Sequence, residues 1–243
     1  MSNQNNFGPM SVDYDIARKG YPDEIFEYIK SFVKINNPIT LDIGCGTGIS
    51  TRQLKEHHFE VTGADKDTAM IETAVKRGQE MPYFVATADK LPFKSEQFDI
   101  VTAFTAFHWF NNEESLTEIK RVLKTGGIFC AVLKVSSKNN NGYLSIYKKY
   151  VGDSFDSTKN HFEKEFLVKS SFSDIKEKTF YVDEKYTVDE ALTLVKSLSL
   201  WNLVPENKKP EMLKELRDFY ETELLNGFVV MHREISIITT FKK

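Results

Sequence analysis

The sequence predicts a doubly wound α/β fold, a mostly parallel sheet with helices on both faces. Two observations carry this. Between residues 39 and 135, short apolar runs alternate with segments of helical periodicity, the order that builds parallel strands joined by crossover helices. The first of those runs, Ile39–Ile43, breaks into glycines at 44, 46 and 48 before a helical stretch opens at Ile49. Strand, glycine turn and helix together offer a ligand bare backbone N–H groups and a helix N-terminus. A chain of 243 residues has room for one such domain with a subdomain or lid.

The polar, Asn-rich residues 1–9 carry no apolar leader, so no secretory signal is expected. A first helix is predicted over 23–33, with Ile25, Phe26, Ile29, Phe32 and Val33 on one face and Asp23 and Glu24 in the first turn, where carboxylates suit the helix dipole. Strands follow at 39–43, 59–65, 83–86 and 98–105, with a helix over 68–77. Asn112 is set to cap a helix through Lys124 that Gly126 and Gly127 close. The run 128–135 is apolar apart from Lys134, as a central strand should be. Beyond a polar loop at 136–142, a sixth strand is predicted over 172–182. The box Thr187-Val-Asp-Glu190 then opens a helix with Ala191, Leu192, Leu194, Val195 and Leu198 inward. An amphipathic helix over 210–225 and closing β segments at 228–231 and 235–241 complete the chain, one of them the antiparallel last strand of seven.

Composition excludes several classes. A net charge of -3 and a pI near 6.0 do not suit the chain as a whole to nucleic acid. No apolar run approaches the roughly 20 residues of a membrane span. Two cysteines, Cys45 and Cys130, are too few for a disulfide framework, which points to a reducing, cytoplasmic setting. No metal is predicted.

The spacing of the loop narrows its ligand. A dinucleotide loop, G-x-G-x-x-G, needs its third glycine at 49, which is Ile. Asp42 precedes the loop and suits a ligand with a cationic amine better than a pyrophosphate, which it repels. Asp65 lies where a βαβ unit places its ribose-binding acid, and a carboxylate there accepts from both ribose hydroxyls. The competing role is to cap the helix at 68, which Asp67 fills as well. The stretch Asp42-Ile-Gly-Cys-Gly-Thr-Gly48 resembles the first motif of class I S-adenosylmethionine-dependent methyltransferases. Ala88-Asp-Lys-Leu-Pro-Phe93, followed by Phe98-Asp-Ile-Val101, resembles the third and fourth. The resemblance covers residues 14–135 closely and the rest only in its order of elements.

That resemblance implies a Rossmann-like, seven-stranded, mostly parallel sheet with an antiparallel last strand and a helical lid. The chain, 1–243, becomes a single methyltransferase domain. Its parts are a cofactor-binding core over 14–135, an insertion over 136–170 at the acceptor pocket, and a C-terminal sheet and helices over 171–243. The implied cofactor is S-adenosyl-L-methionine, leaving as S-adenosyl-L-homocysteine. The implied contacts are Asp42, Gly44, Cys45, Gly46 and Gly48 for the methionine end, Asp65 and Lys66 for the ribose, Ala88 and Asp89 for the adenine, and Thr105 and Ala106 at the reacting end.

The fourth strand runs into Ala106-Phe-His-Trp-Phe110, at the sheet end where ligands bind in open α/β folds. His108 there is a candidate general base, an orienting donor or a packed side chain. Trp109 and Phe110 are candidate pocket walls. Tyr14 to Pro22, with Arg18, Tyr21 and Pro22, resembles the N-terminal segment of small-molecule methyltransferases, including the trans-aconitate type, although Lys19 stands where that pattern has proline. The expectation is a small-molecule acceptor contacted by Tyr14, Arg18, Tyr21, His108 and Trp109. A carboxylate acceptor, giving a methyl ester, is ionised at pH 7 and needs only a cationic clamp, from Arg18 and Arg233. A quinone-like acceptor methylated at carbon or oxygen, with His108 as base, is the alternative. A non-catalytic S-adenosylmethionine-binding protein is another. No oligomeric state follows from these motifs.

Overall fold

The computed structural model describes residues 18–78, 80–137, 141–152 and 172–243. Tyr14, the first nine residues and most of the predicted insertion beyond Gly152 lie outside them. Helix α1 (Asp23–Lys30) buries Ile25, Phe26 and Ile29; it stops short of Phe32 and Val33, which follow in a turn and a loop. Then come β1 (Ile39–Ile43), α2 (Ile49–Glu56), β2 (Glu60–Asp65), α3 (Thr68–Arg77), β3 (Tyr83–Val85), β4 (Phe98–Phe104), α4 (Glu113–Val122), β5 (Leu123–Ser136), α5 (Asn141–Val151), β6 (Phe172–Tyr186), α6 (Val188–Lys196), α7 (Lys209–Thr222) and β7 (Val229–Lys242).

The seven strands form one sheet in the order β3-β2-β1-β4-β5-β7-β6, with β1 to β5 parallel and the last two antiparallel. The expected Rossmann-like arrangement is therefore present. Two further elements differ from expectation. Helix α4 ends at Val122, and the glycine pair that was to close it lies inside β5, where Gly126 has a φ of 77° and the register against β4 shifts. The two closing segments are a single strand, β7. Its polar middle does not break it, because Arg233 is almost buried and paired within the sheet to Glu184, 2.7 Å away.

By contacts the described residues fall into two units. The larger holds 20–134, 172–180 and 235–243. Alternate strand positions, Leu41, Ile43, Val101, Ala103, Phe129 and Ala131, pack with Leu116, Ile119 and Val122 of α4. The intervening positions face the other way, where the Phe104 ring lies 5.7 Å from Phe26 of α1. The smaller unit, 18–19, 135–152 and 181–234, has an aromatic core of its own built on Tyr143, Tyr147, Tyr186, Trp201 and Tyr220. Its helix α6 opens on the predicted box, with Thr187 and Glu190 each accepting the other's backbone N–H. Among the described residues no helix is long and apolar enough to cross a membrane.

Candidate functional site

All three glycines of the loop have left-handed backbone, with φ of 69°, 54° and 80° at 44, 46 and 48. They are needed for different reasons. A Cβ at Gly44 falls 2.5 Å from Ala106 Cβ and one at Gly48 falls 2.6 Å from Tyr83 Oη, whereas one at Gly46 meets nothing within 4 Å. Gly44 and Gly48 thus let the loop pack on its own protein, and Gly46 faces open space, where a ligand can lie against backbone.

The loop is tied down from β2. Ala64 O accepts from the amides of Gly44 and Cys45 at 2.7 and 3.1 Å. Asp65 accepts from Gly46 N on Oδ2 at 2.8 Å and from Asp67 N on Oδ1 at 2.9 Å, and burial pushes its carboxyl up. Each oxygen keeps a further acceptor direction. The cap of α3 is Asp67, which accepts from Ala69 N and Met70 N, so Asp65 is not needed for that purpose.

Asp42 is placed differently from an open ligand contact. It is 0 % exposed. Its Oδ2 accepts from Ser50 and Thr51 hydroxyls at 2.7 and 2.8 Å, and its Oδ1 from Thr102 at 3.0 Å. It therefore fastens the first turn of α2 to β4 beneath the loop. Burial holds its carboxyl at about 6 despite the three hydroxyls, which pull it down. Burial also pushes the Cys45 thiol up, leaving an inert side chain.

Beside the β2 and β3 ends lies a cavity of about 410 Å³ lined by Lys66, Val85, Ala86, Thr87, Lys90, Leu91 and Pro92. Val85 is 52 % exposed there although apolar. Ala88 is buried under this loop, and Asp89 is exposed next to it.

At the exit of β4, Thr105 has a φ of 49°, a strained conformation for a β-branched residue. Its N–H donates to Val132 O at 2.6 Å, its Oγ1 accepts from Lys134 N at 3.1 Å, and the Tyr21 hydroxyl is 2.9 Å from the same oxygen. Tyr21 is itself pinned by two 2.8 Å bonds between its backbone and the Gln53 amide. Lys134 Nζ donates to Gly20 O at 2.7 Å and sits 4.7 Å above the Tyr21 ring. Three residues further, His108 packs 4.8 Å from Trp109, whose indole is 44 % exposed. Burial pulls the His108 imidazole down to about 4.

The structure thus gathers Tyr21, Gly44, Thr105 and Ala106 at one end of the sheet and Lys66 at the cavity. Arg18 belongs to the smaller unit, where its charge acts on Tyr147. Arg233 also lies there, its charge already matched by Glu184, so the clamp expected of it is occupied. Gln53 and Asn111 escaped the sequence reading, since neither belongs to a motif. Lys134 announced itself only as a lone charge in an apolar strand.

Residues 41–131 match the family model described as a methyltransferase domain. An uncharacterized methyltransferase-like protein of Schizosaccharomyces pombe is 30% identical over 219 residues, covering 87% of this chain and 84% of its own. This chain is a class I S-adenosylmethionine-dependent methyltransferase. A demethylmenaquinone methyltransferase of Thermotoga maritima is 32% identical over 137 residues, covering 52% of this chain and 60% of the relative. Among solved structures, the phosphoethanolamine N-methyltransferase 2 of Haemonchus contortus in complex with S-adenosyl-L-methionine aligns at a TM-score of 0.57 and 18% identity, over 99% of this chain and 58% of that one.

The residues present fit the methyltransferase cofactor, S-adenosylmethionine. Thr47 Oγ1, His108 Nδ1 and Asn111 Oδ1 are buried with no hydrogen-bond partner, polar atoms that a polar ligand satisfies. Gly46 supplies the open backbone and the lined cavity a place for a flat base. When bound, the cofactor supplies an electrophilic methyl group on a sulfonium.

Proposed function

We propose that this methyltransferase acts on a small-molecule carboxylate and forms a methyl ester. The observation that carries this reading is His108. Its imidazole is held at about 4 by burial alone, so protonating it at pH 7 costs about 4 kcal/mol. A group so reluctant to accept a proton is a poor general base, and an acceptor that must lose a proton gains little from it. A carboxylate is already ionised and asks only for orientation and exclusion of water. On this reading Asp65 and Lys66 hold the ribose, Ala88 and Asp89 attend the adenine, the glycine loop takes the methionine end, and Tyr21, Thr105 and Trp109 line the reacting end. Asp42 acts beneath the loop as its anchor. Arg18 supplies the cation for the acceptor, and residues 136–170 set its choice. The reaction is assigned to the cytoplasm and needs neither nucleic acid nor membrane.

Methylation of a quinone-like acceptor is the second reading, favoured by the demethylmenaquinone methyltransferase among the relatives. The two separate in one experiment. The enzyme is incubated with methyl-labelled S-adenosylmethionine and fractionated small metabolites, and the labelled product is treated with mild base. Label released by base is the expected result. Base-stable label refutes the carboxylate reading and returns attention to His108.

A further inference from the structure

The wall of the cavity formed by Leu91 and Pro92 belongs to no strand or helix. Beyond the short bridge between Thr87 and Lys90, the segment through Phe93 has no ladder to fix its backbone. Two side chains on one edge of α4 do this instead. Glu118 Oε1 accepts from Leu91 N at 2.8 Å. Arg121 Nη2 donates to Leu91 O at 3.2 Å, and Nη1 to Phe93 O at 2.9 Å and Ser95 Oγ at 3.3 Å. The pair is closed on itself by two further bonds, Nε to Glu118 Oε2 and Nη2 to Glu118 Oε1, both 2.7 Å. All five guanidinium N–H groups are thereby used, and both backbone polar groups of Leu91 are held by one fork-shaped ion pair. Salt bridges of this exposure, 34 % and 16 %, add little stability by themselves. Their geometric effect is larger, because a bidentate pair fixes orientation as well as distance.

We propose that Glu118 and Arg121 are positioning residues for the base-binding wall, setting where the backbone of Ala88–Phe93 meets the edge of the purine and so the enzyme's preference for adenine. The claim rests on the reading that places the adenine beside Ala88 and Asp89, and is independent of which acceptor is methylated.

The test compares S-adenosylhomocysteine with S-inosylhomocysteine, whose base carries an oxo group and an N1–H where adenine has an amino group and a bare N1, by isothermal titration on the full-length protein. A wall in fixed register rejects the wrong edge because buried polar groups are left unpaired. The wild type is expected to prefer the adenine compound by about tenfold or more. Glu118→Ala and Arg121→Gln are expected to bring that ratio to within about threefold of one. Glu118→Gln keeps an acceptor for Leu91 N and should hold most of the preference. Arg121→Lys cannot replace a five-donor fork and should behave as Arg121→Gln. General loss of stability weakens both ligands together and leaves their ratio alone. A ratio unchanged in Glu118→Ala and Arg121→Gln, with or without a lower melting temperature, overturns the proposal, as does a wild type that binds both compounds equally. Should the alanine variant fail to fold, the ratio in Arg121→Lys decides by the same criterion.

Discussion

Replacing Asp42 with asparagine should make this enzyme's stability less dependent on pH in a defined window. In the folded protein the Asp42 carboxyl titrates at about 6, against an ordinary 3.8, because burial outweighs the three hydroxyls that favour its charged form. A folded value raised above the unfolded one contributes stability that is fully present below the unfolded value and is lost as pH rises through the folded one. A difference of about two units corresponds to about 3 kcal/mol, nearly all of it lost between about pH 4 and pH 7. Asparagine has no such term. Its amide can still meet these hydroxyls, the oxygen accepting from Thr102 and the nitrogen donating to Ser50 and Thr51, which turn to accept where they now donate. Weaker neutral hydrogen bonds lower stability by an offset that does not vary with pH. Urea unfolding of both proteins at half-unit steps from pH 4 to 7.5 measures the difference, in which every other titrating group cancels. The Asp42→Asn protein should gain on the wild type by about 2 to 3 kcal/mol across that range. A difference flat to within about 0.5 kcal/mol means that Asp42 is not a desolvated carboxylate and that burial does not govern its titration.

Gly46→Ala and Gly44→Ala should separate binding from folding. At Gly46 the new methyl meets nothing, so only the left-handed backbone is penalised, by about 1 to 2 kcal/mol, while calorimetric S-adenosylhomocysteine affinity falls more than about tenfold. At Gly44 the Ala106 contact adds a clash, and thermal melts should show a loss of about 3 kcal/mol or more. His108 has its folded value lowered, so its contribution is present above about 6.5 and lost as pH falls through about 4. Methyl transfer by the wild type should show no inflection from this residue between pH 6 and 8, and His108→Asn should leave the shape of the rate profile unchanged. Thr187→Ala removes one half of the capping box of α6 and should cost about 1 kcal/mol in denaturant titrations.

What the sequence revealed and what it hid divide along physical lines. The β1–loop–α2 unit was legible because three left-handed glycines cannot be replaced without clash or strain, and the cap on α6 because it is a short-range bond between residues three apart. Features set by distant partners were not legible. The Gly126-Gly127 pair has the local chemistry of a helix terminus, yet it falls in the out-of-register stretch between the pairs Leu123–Phe98 and Ile128–Ile100, and the strand runs on through it. His232-Arg233-Glu234 looks like a break in β7 until Glu184, 49 positions away, is found to neutralise Arg233. Asp42 was identified as important from its place beside the loop, but its distance from solvent depends on Thr102 in another strand. The bracing of Leu91 by Glu118 and Arg121 is likewise invisible without the fold, since an i, i+3 pair of opposite charge on a helix is ordinary surface decoration in any sequence.

The strand order has a consequence for the biosynthesis of the enzyme. β6 is made before β7, yet β7 is its only neighbour among the described strands and lies between it and β5. While a ribosome is still translating the residues of α7, β1 to β5 can already be assembled, but β6 has no strand to join. The outer edge of β5, with its apolar run from Ile128 to Leu133, is then open to any extended chain that passes. The interval between emergence of β5 and arrival of β7 is thus the period in which a nascent chain of this protein most needs a chaperone. A shorter delay there should improve the yield of folded enzyme.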